Sequence, residues 1–221
     1  MLKIVVFDSG YGGELFADRL EEELPVADII RVIDWRNADK IQKSPKTARR
    51  AALLALKPYI NRADLIVFAN HLLTVTSLKY FRRKYKDQKF MGLNLPEPST
   101  FMNRPTAILT TKALAHTINY RNYIFRLKRK TNTICLDAWP ALIDDGELTD
   151  QLIDAEFNNF YHKYHYKPAE IILVCSQFND ILPNLRRILG KNIKIHDSFQ
   201  DAITEVGKTL KIRGGTGKRA H

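Results

Sequence analysis

Four short runs place reactive or hydrogen-bonding side chains directly after an apolar stretch. "IILVCSQF" sets the thiol of Cys175 and the hydroxyl of Ser176 behind four apolar residues, and "DLIVFANHLL" sets Asn70 and His71 behind "LIVFA". "KIVVFDSGYGG" ends its apolar run on Asp8 and Ser9, and "TAILTT" ends on Thr110 and Thr111. A free thiol titrates near about 8.5 and an imidazole near about 6.5, so Cys175 and His71 are the groups among these that exchange protons around neutrality. Asp8, Ser9, Asn70, Thr111 and Ser176 are hydrogen-bonding types suited to holding a small polar ligand. No second carboxylate or histidine stands at metal-ligand spacing from Asp8, so no metal is expected. Gly10, Gly12 and Gly13 do not meet the G-x-G-x-x-G spacing, and Glu14 disfavours a phosphate; they read as a tight strand-to-helix turn.

The elements around these runs alternate. Strands at 3–8, 28–34, 64–69 and 89–93 are separated by helical patterns near 13–24, 45–61 and 72–84. A second series has strands at 106–111, 133–137, 170–175 and 193–198, with helices after the first, near 150–166, at 181–189 and up to about Leu210. Short apolar strands alternating with helices predict an α/β fold of parallel sheets flanked by helices. The two series echo each other: "ADLIVFANHL" and "AEIILVCSQF", like "KIVVFDSGYGG" and "PTAILTTKALA", lie roughly a hundred residues apart. Two similar lobes follow: 1–97, then 98–198, with a link near 95–105, the helix 199–210 packing back on the first lobe, and a flexible basic tail at 211–221. Ligands in such folds bind beyond the carboxyl ends of the strands, so two facing halves would gather all four polar clusters around one cleft.

Those clusters resemble the glutamate racemases and the wider aspartate/glutamate racemase superfamily. "VVFDSGYGG" is similar to the family's opening strand and turn, "TAILTTKA" to its mid-chain strand with a substrate-facing threonine, here Thr111, and "LIDDGE" to its acidic-glycine turn. "IILVCSQF" resembles the strand carrying its second catalytic cysteine, and "KIHDSFQDAI" its last strand and helix, so the likeness runs in order over residues 1–210. The resemblance implies cofactor-independent proton transfer beside a carboxylate, with two thiols on opposite faces, one as base and one as acid. It implies Cys175 as a catalytic group and Asp8, Ser9, Asn70, Thr111 and Ser176 as contacts to an acidic amino acid or related carboxylate. The chain departs from the pattern where the first thiol belongs: Cys-Asn-Thr falls on Ala69-Asn70-His71. In the second cluster, Cys-Thr-His falls on Cys175-Ser176-Gln177, and the family's Pro-Tyr-Gly segment falls on Asp39-Lys40-Ile41.

Three readings of Ala-Asn-His stand open. His71 replaces the lost thiol as second acid/base; Cys175 works alone from one face, as in arylmalonate decarboxylases; or the protein binds an acidic ligand or a protein partner without turnover. The resemblance also implies a homodimer, and a protein-partner role has precedent in glutamate racemases that restrain DNA gyrase.

Composition bounds the rest. The 221 residues are 45% hydrophobic, enough for a sizeable core. The apolar runs are too short to span a bilayer, and Asp8 interrupts the first one, so a cytoplasmic protein with no membrane partner is expected. Two cysteines make no disulfide framework, and Cys135, inside "TICLD", reads as a small core residue. His162 and His165 lack further ligands and read as a surface or packing cluster. Trp35 and Trp139 each follow a strand, as a lid or a core edge. The net charge of +11 is spread over several helices that read as solvated faces, and without an aromatic-basic module nucleic-acid binding is not expected.

Overall fold

The computed structural model describes residues 1–97, 104–127 and 130–212. The chain divides into two units, Met1–Asn94 with Phe199 onward, and Leu95–Ser198.

The first unit holds strands β1 (Leu2–Asp8), β2 (Ala27–Ile33), β3 (Leu65–Phe68) and β4 (Phe90–Gly92), all parallel, in the order β2-β1-β3-β4. Its helices are α1 (Tyr11–Glu23), α2 (Ala38–Lys43), α3 (Pro45–Leu56), α4 (His71–Lys84) and, from the far end of the chain, α10 (Ser198–Leu210). Successive strand residues point to opposite faces, and here both faces are covered. Ile4, Val6, Leu65 and Val67 pack with Phe16 and Leu20 of α1 and with Phe199, Ile203 and Val206 of α10. Val5, Phe7, Ile66 and Phe68 face the other way, onto Ile41, Ala48, Ala52, Leu73 and Phe81 of α2, α3 and α4. Strands buried on both faces read as continuous apolar runs, which is why "KIVVF" and "LIVF" lack alternation.

The second unit repeats the plan with β5 (Thr106–Thr110), β6 (Thr131–Cys135), β7 (Glu170–Leu173) and β8 (Lys194–His196), parallel, in the order β6-β5-β7-β8. Helices α5 (Lys112–Ala115), α6 (Ile118–Leu127), α7 (Trp139–Asp144), α8 (Asp150–Tyr164) and α9 (Leu182–Leu189) accompany it. The strand order matches that of the first unit, the physical counterpart of the sequence echo.

Local chemistry sets the helix starts. The hydroxyl of Ser44 accepts from the backbone N–H of Thr47 with Pro45 in the first turn of α3, and Thr149 accepts from Leu152 at the start of α8. The helix expected to Asn61 stops at Leu56, and the one expected to Tyr166 stops at Tyr164, where His165 takes a left-handed conformation (φ 55°). Helix α7 was not expected: "LIDDGE" is its last turn followed by Gly146 at φ +70°. Cys135 is corrected, because it is exposed; β6 lies at the sheet edge, and its last residue escapes cover. Trp139 is core, stacked edge-on against Phe178 at 5.8 Å, whereas Trp35 is 51% exposed. Ile41, matched to the family's Pro-Tyr-Gly segment, is a core residue of α2. The expected link at 95–105 falls partly outside the described residues, as does the basic tail from residue 213. Among the described residues no helix is long and apolar enough to cross a membrane.

Candidate functional site

In the first unit, the register Phe7↔Phe68 puts the residues that follow β1 and β3 side by side at the carboxyl edge of the sheet. Asp8 is there, 1% exposed, and its Oδ1 accepts from the backbone N–H of Ser9 at 2.6 Å and from Nδ2 of Asn70 at 2.7 Å. Asn70 is the N-cap of α4, and its Oδ1 accepts from the backbone N–H of Leu73 at 3.0 Å. The amide orientation is therefore fixed from both ends: oxygen to the helix start, nitrogen to the carboxylate. Asn70 ties the helix to Asp8. Gly13 belongs to the same construction, because a Cβ there would stand 2.4 Å from the Cβ of Asp8. The glycine-rich turn thus serves a close approach of α1 to the end of β1.

Ala69 and His71 flank Asn70, and neither enters this network. Ala69 is fully buried and packs into the apolar core with Val67, Met91 and Phe199. His71 opens α4, is 3% exposed, and neither ring nitrogen has a hydrogen-bond partner among the described residues. Burial lowers its pKa to about 3, so the ring is neutral at physiological pH. An imidazole whose conjugate acid is that strong is a weak base and, at neutrality, carries no second proton to give.

In the second unit, the register Leu109↔Leu173 brings the ends of β5 and β7 together. Thr110 is fully buried and donates from Oγ1 to the carbonyl of Val174 at 3.2 Å, leaving Thr111, half-buried at the start of α5, as the outer threonine. The N–H of Lys112 is taken by Asp137 at 2.8 Å, so α5 is capped without the Thr111 hydroxyl. Cys175, half-buried, precedes a short 3-10 turn at Ser176–Asn179 whose Phe178 anchors it in the core. Ser176 is buried at the head of that turn.

The sulfur of Cys175 lies 3.7 Å from Oε1 of Gln177, and Nε2 of Gln177 donates to both carboxylate oxygens of Asp144 at 2.8 and 2.9 Å. An ionised carboxylate only accepts, so the Gln177 NH₂ must face Asp144 and its oxygen must face the thiol. The Cys175 S–H donates. Burial moves the Asp144 pKa up, against the Gln177 hydrogen bond, which pulls it down. Asp144 was not among the expected site residues; "LIDDGE" marked its neighbourhood, but only the fold shows that α7 brings it to Gln177. Cys135, by contrast, is far along the edge strand, and partial burial and then the Asp137 carboxylate push its thiol up, away from reactivity.

No protein-family model matches the chain. A glutamate racemase of Roseiflexus sp. is 25% identical over 219 residues, covering 96% of this chain and 80% of that protein. Among solved structures, Escherichia coli glutamate racemase, crystallised with L-glutamate and the activator UDP-MurNAc-Ala, superposes with a TM-score of 0.83 at 17% identity, covering 100% of this chain and 86% of that one. The chain has the aspartate/glutamate racemase fold. Picrophilus torridus aspartate racemase shares this racemase fold at a TM-score of 0.66 and 12% identity, over 97% of this chain and 95% of that one. The two four-stranded parallel sheets and their flanking helices are those of the racemase fold.

Proposed function

We propose that this racemase-like protein binds a small acidic amino acid or related carboxylate and does not invert it. By resemblance, Asp8, Ser9, Asn70, Thr111, Cys175 and Ser176 are the proposed contacts. The observation that carries this reading is the state of the Ala69-Asn70-His71 run. The Asn70–Asp8 bond that organises the strand end is in place, yet the run supplies no proton-transfer group: Ala69 is core and His71 is buried with a pKa lowered to about 3. Inversion needs an acid and a base on opposite sides of one carbon, and of the two strand-end runs Ala69-Asn70-His71 and Cys175-Ser176-Gln177, the second alone offers a thiol. Similarity to glutamate racemases supports the ligand class; if the protein turns over, the class of activity is isomerase-like proton transfer.

A second reading is favoured by the Cys175–Gln177–Asp144 chain. A thiol whose S–H is oriented by the Gln177 amide oxygen can deliver a proton to one face of a carbanion. The test is isothermal titration with L- and D-glutamate and L- and D-aspartate, followed by proton NMR in D₂O. The first reading expects binding of at least one ligand, weakened in Asn70→Ala, with no inversion. Exchange that retains configuration and disappears in Cys175→Ala establishes the second reading. Absence of binding by all four removes the proposed ligand class.

A further inference from the structure

The net charge of the chain is not distributed evenly. Between Lys40 and Lys89 the sequence has thirteen lysines and arginines and only two acidic residues, Asp64 and Asp87, a net of +11 that equals the formal charge of the whole chain. All other residues together balance to zero.

The fold assembles this segment into one layer. Helix α3 packs against α2 on one side and α4 on the other, and all three cover the same face of the first sheet. Their inward residues are apolar, so the basic residues are displaced to the outer surface. On α3, Lys46 and Arg50 stand one turn apart; on α4, Lys79 and Arg83 do the same, and all four are exposed. Neighbouring packed helices lie about 8–10 Å apart, so the two pairs belong to adjacent helices of one layer. At the seam, Arg49 donates to the carbonyl of Thr76 at 2.7 Å and lies over the Tyr80 ring at 5.3 Å, bracing the two helices.

None of the thirteen basic residues is in an ion pair among the described residues. The opposite side of the same sheet behaves differently: Arg31 of β2 is matched by Glu14, Asp18 and Glu21 of α1. An unneutralised set of cations on one layer is complementary to a chain of regularly spaced anions. An anionic membrane would also call for apolar anchors, and on this layer Leu54 is the sole exposed large hydrophobic.

We propose that the outer face of α3 and α4 binds the phosphate backbone of duplex nucleic acid, without reading its sequence. Such binding is driven by release of counterions and weakens steeply with salt. Four phosphate contacts predict a loss of about 100-fold in affinity between 50 and 200 mM salt.

The experiment is fluorescence anisotropy of a labelled 24-base-pair duplex with the full-length protein, repeated in two unrelated sequences. Micromolar binding at low salt is expected, equal for both sequences. In a variant carrying Lys46→Gln, Arg50→Gln, Lys79→Gln and Arg83→Gln, affinity should fall at least about 30-fold at 50 mM salt and the log–log salt slope should flatten by about 3 to 4. A control carrying Arg121→Gln, Lys163→Gln, Arg186→Gln and Lys191→Gln has the same net charge and should retain most of the binding. The circular dichroism of both variants checks that they are folded. Equal loss in the two variants would reduce the effect to overall charge and overturn the proposal. So would absence of duplex binding, or binding of phosphatidylserine vesicles by protein that ignores the duplex.

Discussion

His71 offers a quantitative test of how the candidate site is built. Its ring is buried, without hydrogen bonds among the described residues, and titrates near 3 in the folded protein against 6.5 for an exposed imidazole. Between those values the unfolded chain binds a proton that the folded chain does not, so stability conferred by the neutral ring is complete above pH 6.5 and is lost as pH falls toward 3. Each unit of pKa difference corresponds to about 1.4 kcal/mol, giving about 2 kcal/mol lost at pH 5 and about 5 kcal/mol once both states are protonated. The substitution His71→Leu removes this titration while keeping an apolar side chain in place. It also removes two unpartnered ring nitrogens, so at pH 7.5 the variant should lie within about 1 kcal/mol of the unsubstituted chain. Urea denaturation of both proteins at pH 7.5, 6.5, 5.5 and 5.0 supplies the comparison, because carboxylate titrations common to the two cancel in the difference. The stability difference should shift in favour of the variant by about 2 kcal/mol between pH 7.5 and 5.0. A difference that stays constant across that range would show that His71 is solvated or hydrogen-bonded, and would restore it as a proton-transfer group.

Three further outcomes follow from the strand ends. Asn70→Ala removes an N-cap and one donor to Asp8 together; a loss of about 2–3 kcal/mol in denaturant unfolding is expected, and a loss below about 0.5 kcal/mol would contradict the bridging role. Gly13→Ala places a Cβ where it meets the Cβ of Asp8 and the Ile33 side chain, so destabilisation of about 1–3 kcal/mol is expected by thermal or chemical unfolding, against none if α1 moves freely. Gln177→His replaces an acceptor of the thiol proton with a group that can remove it. In a Cys135→Ser background, alkylation of Cys175 by iodoacetamide at pH 7 should accelerate about tenfold, and an unchanged rate would mean that Gln177 does not hold the thiol.

Much of the architecture was legible because parallel strands covered on both faces leave continuous apolar runs, and "KIVVF", "LIVF" and "IIL" are such runs. The polar clusters at their ends could be placed for the same reason, since a strand that stops being apolar has reached the sheet edge. What escaped was whatever depends on side-chain direction or on a partner distant in sequence. A histidine in the first turn of a helix can face the strand ends or the core, and nothing in "ANHLL" distinguishes them. Asp144 meets Gln177 across 33 positions through a helix hidden within "WPALID". Cys135 looked like core because its neighbours are apolar, but exposure on an edge strand is decided by what lies beside it. The charges looked dispersed along the chain; α3 and α4, separated by a strand in sequence, are neighbours in the layer.

The central claim, that an acidic ligand is bound but not inverted, is tested most directly by proton NMR in D₂O with L- and D-glutamate and L- and D-aspartate supplied separately. Saturation-transfer signals report binding in the same samples in which loss of the α-proton and the appearance of the opposite enantiomer are followed. The account predicts a saturation-transfer signal for at least one of the four and no opposite enantiomer from any. Incorporation of deuterium with inversion, abolished in Cys175→Ala and in His71→Ala, would contradict it and make His71 the second acid/base after all.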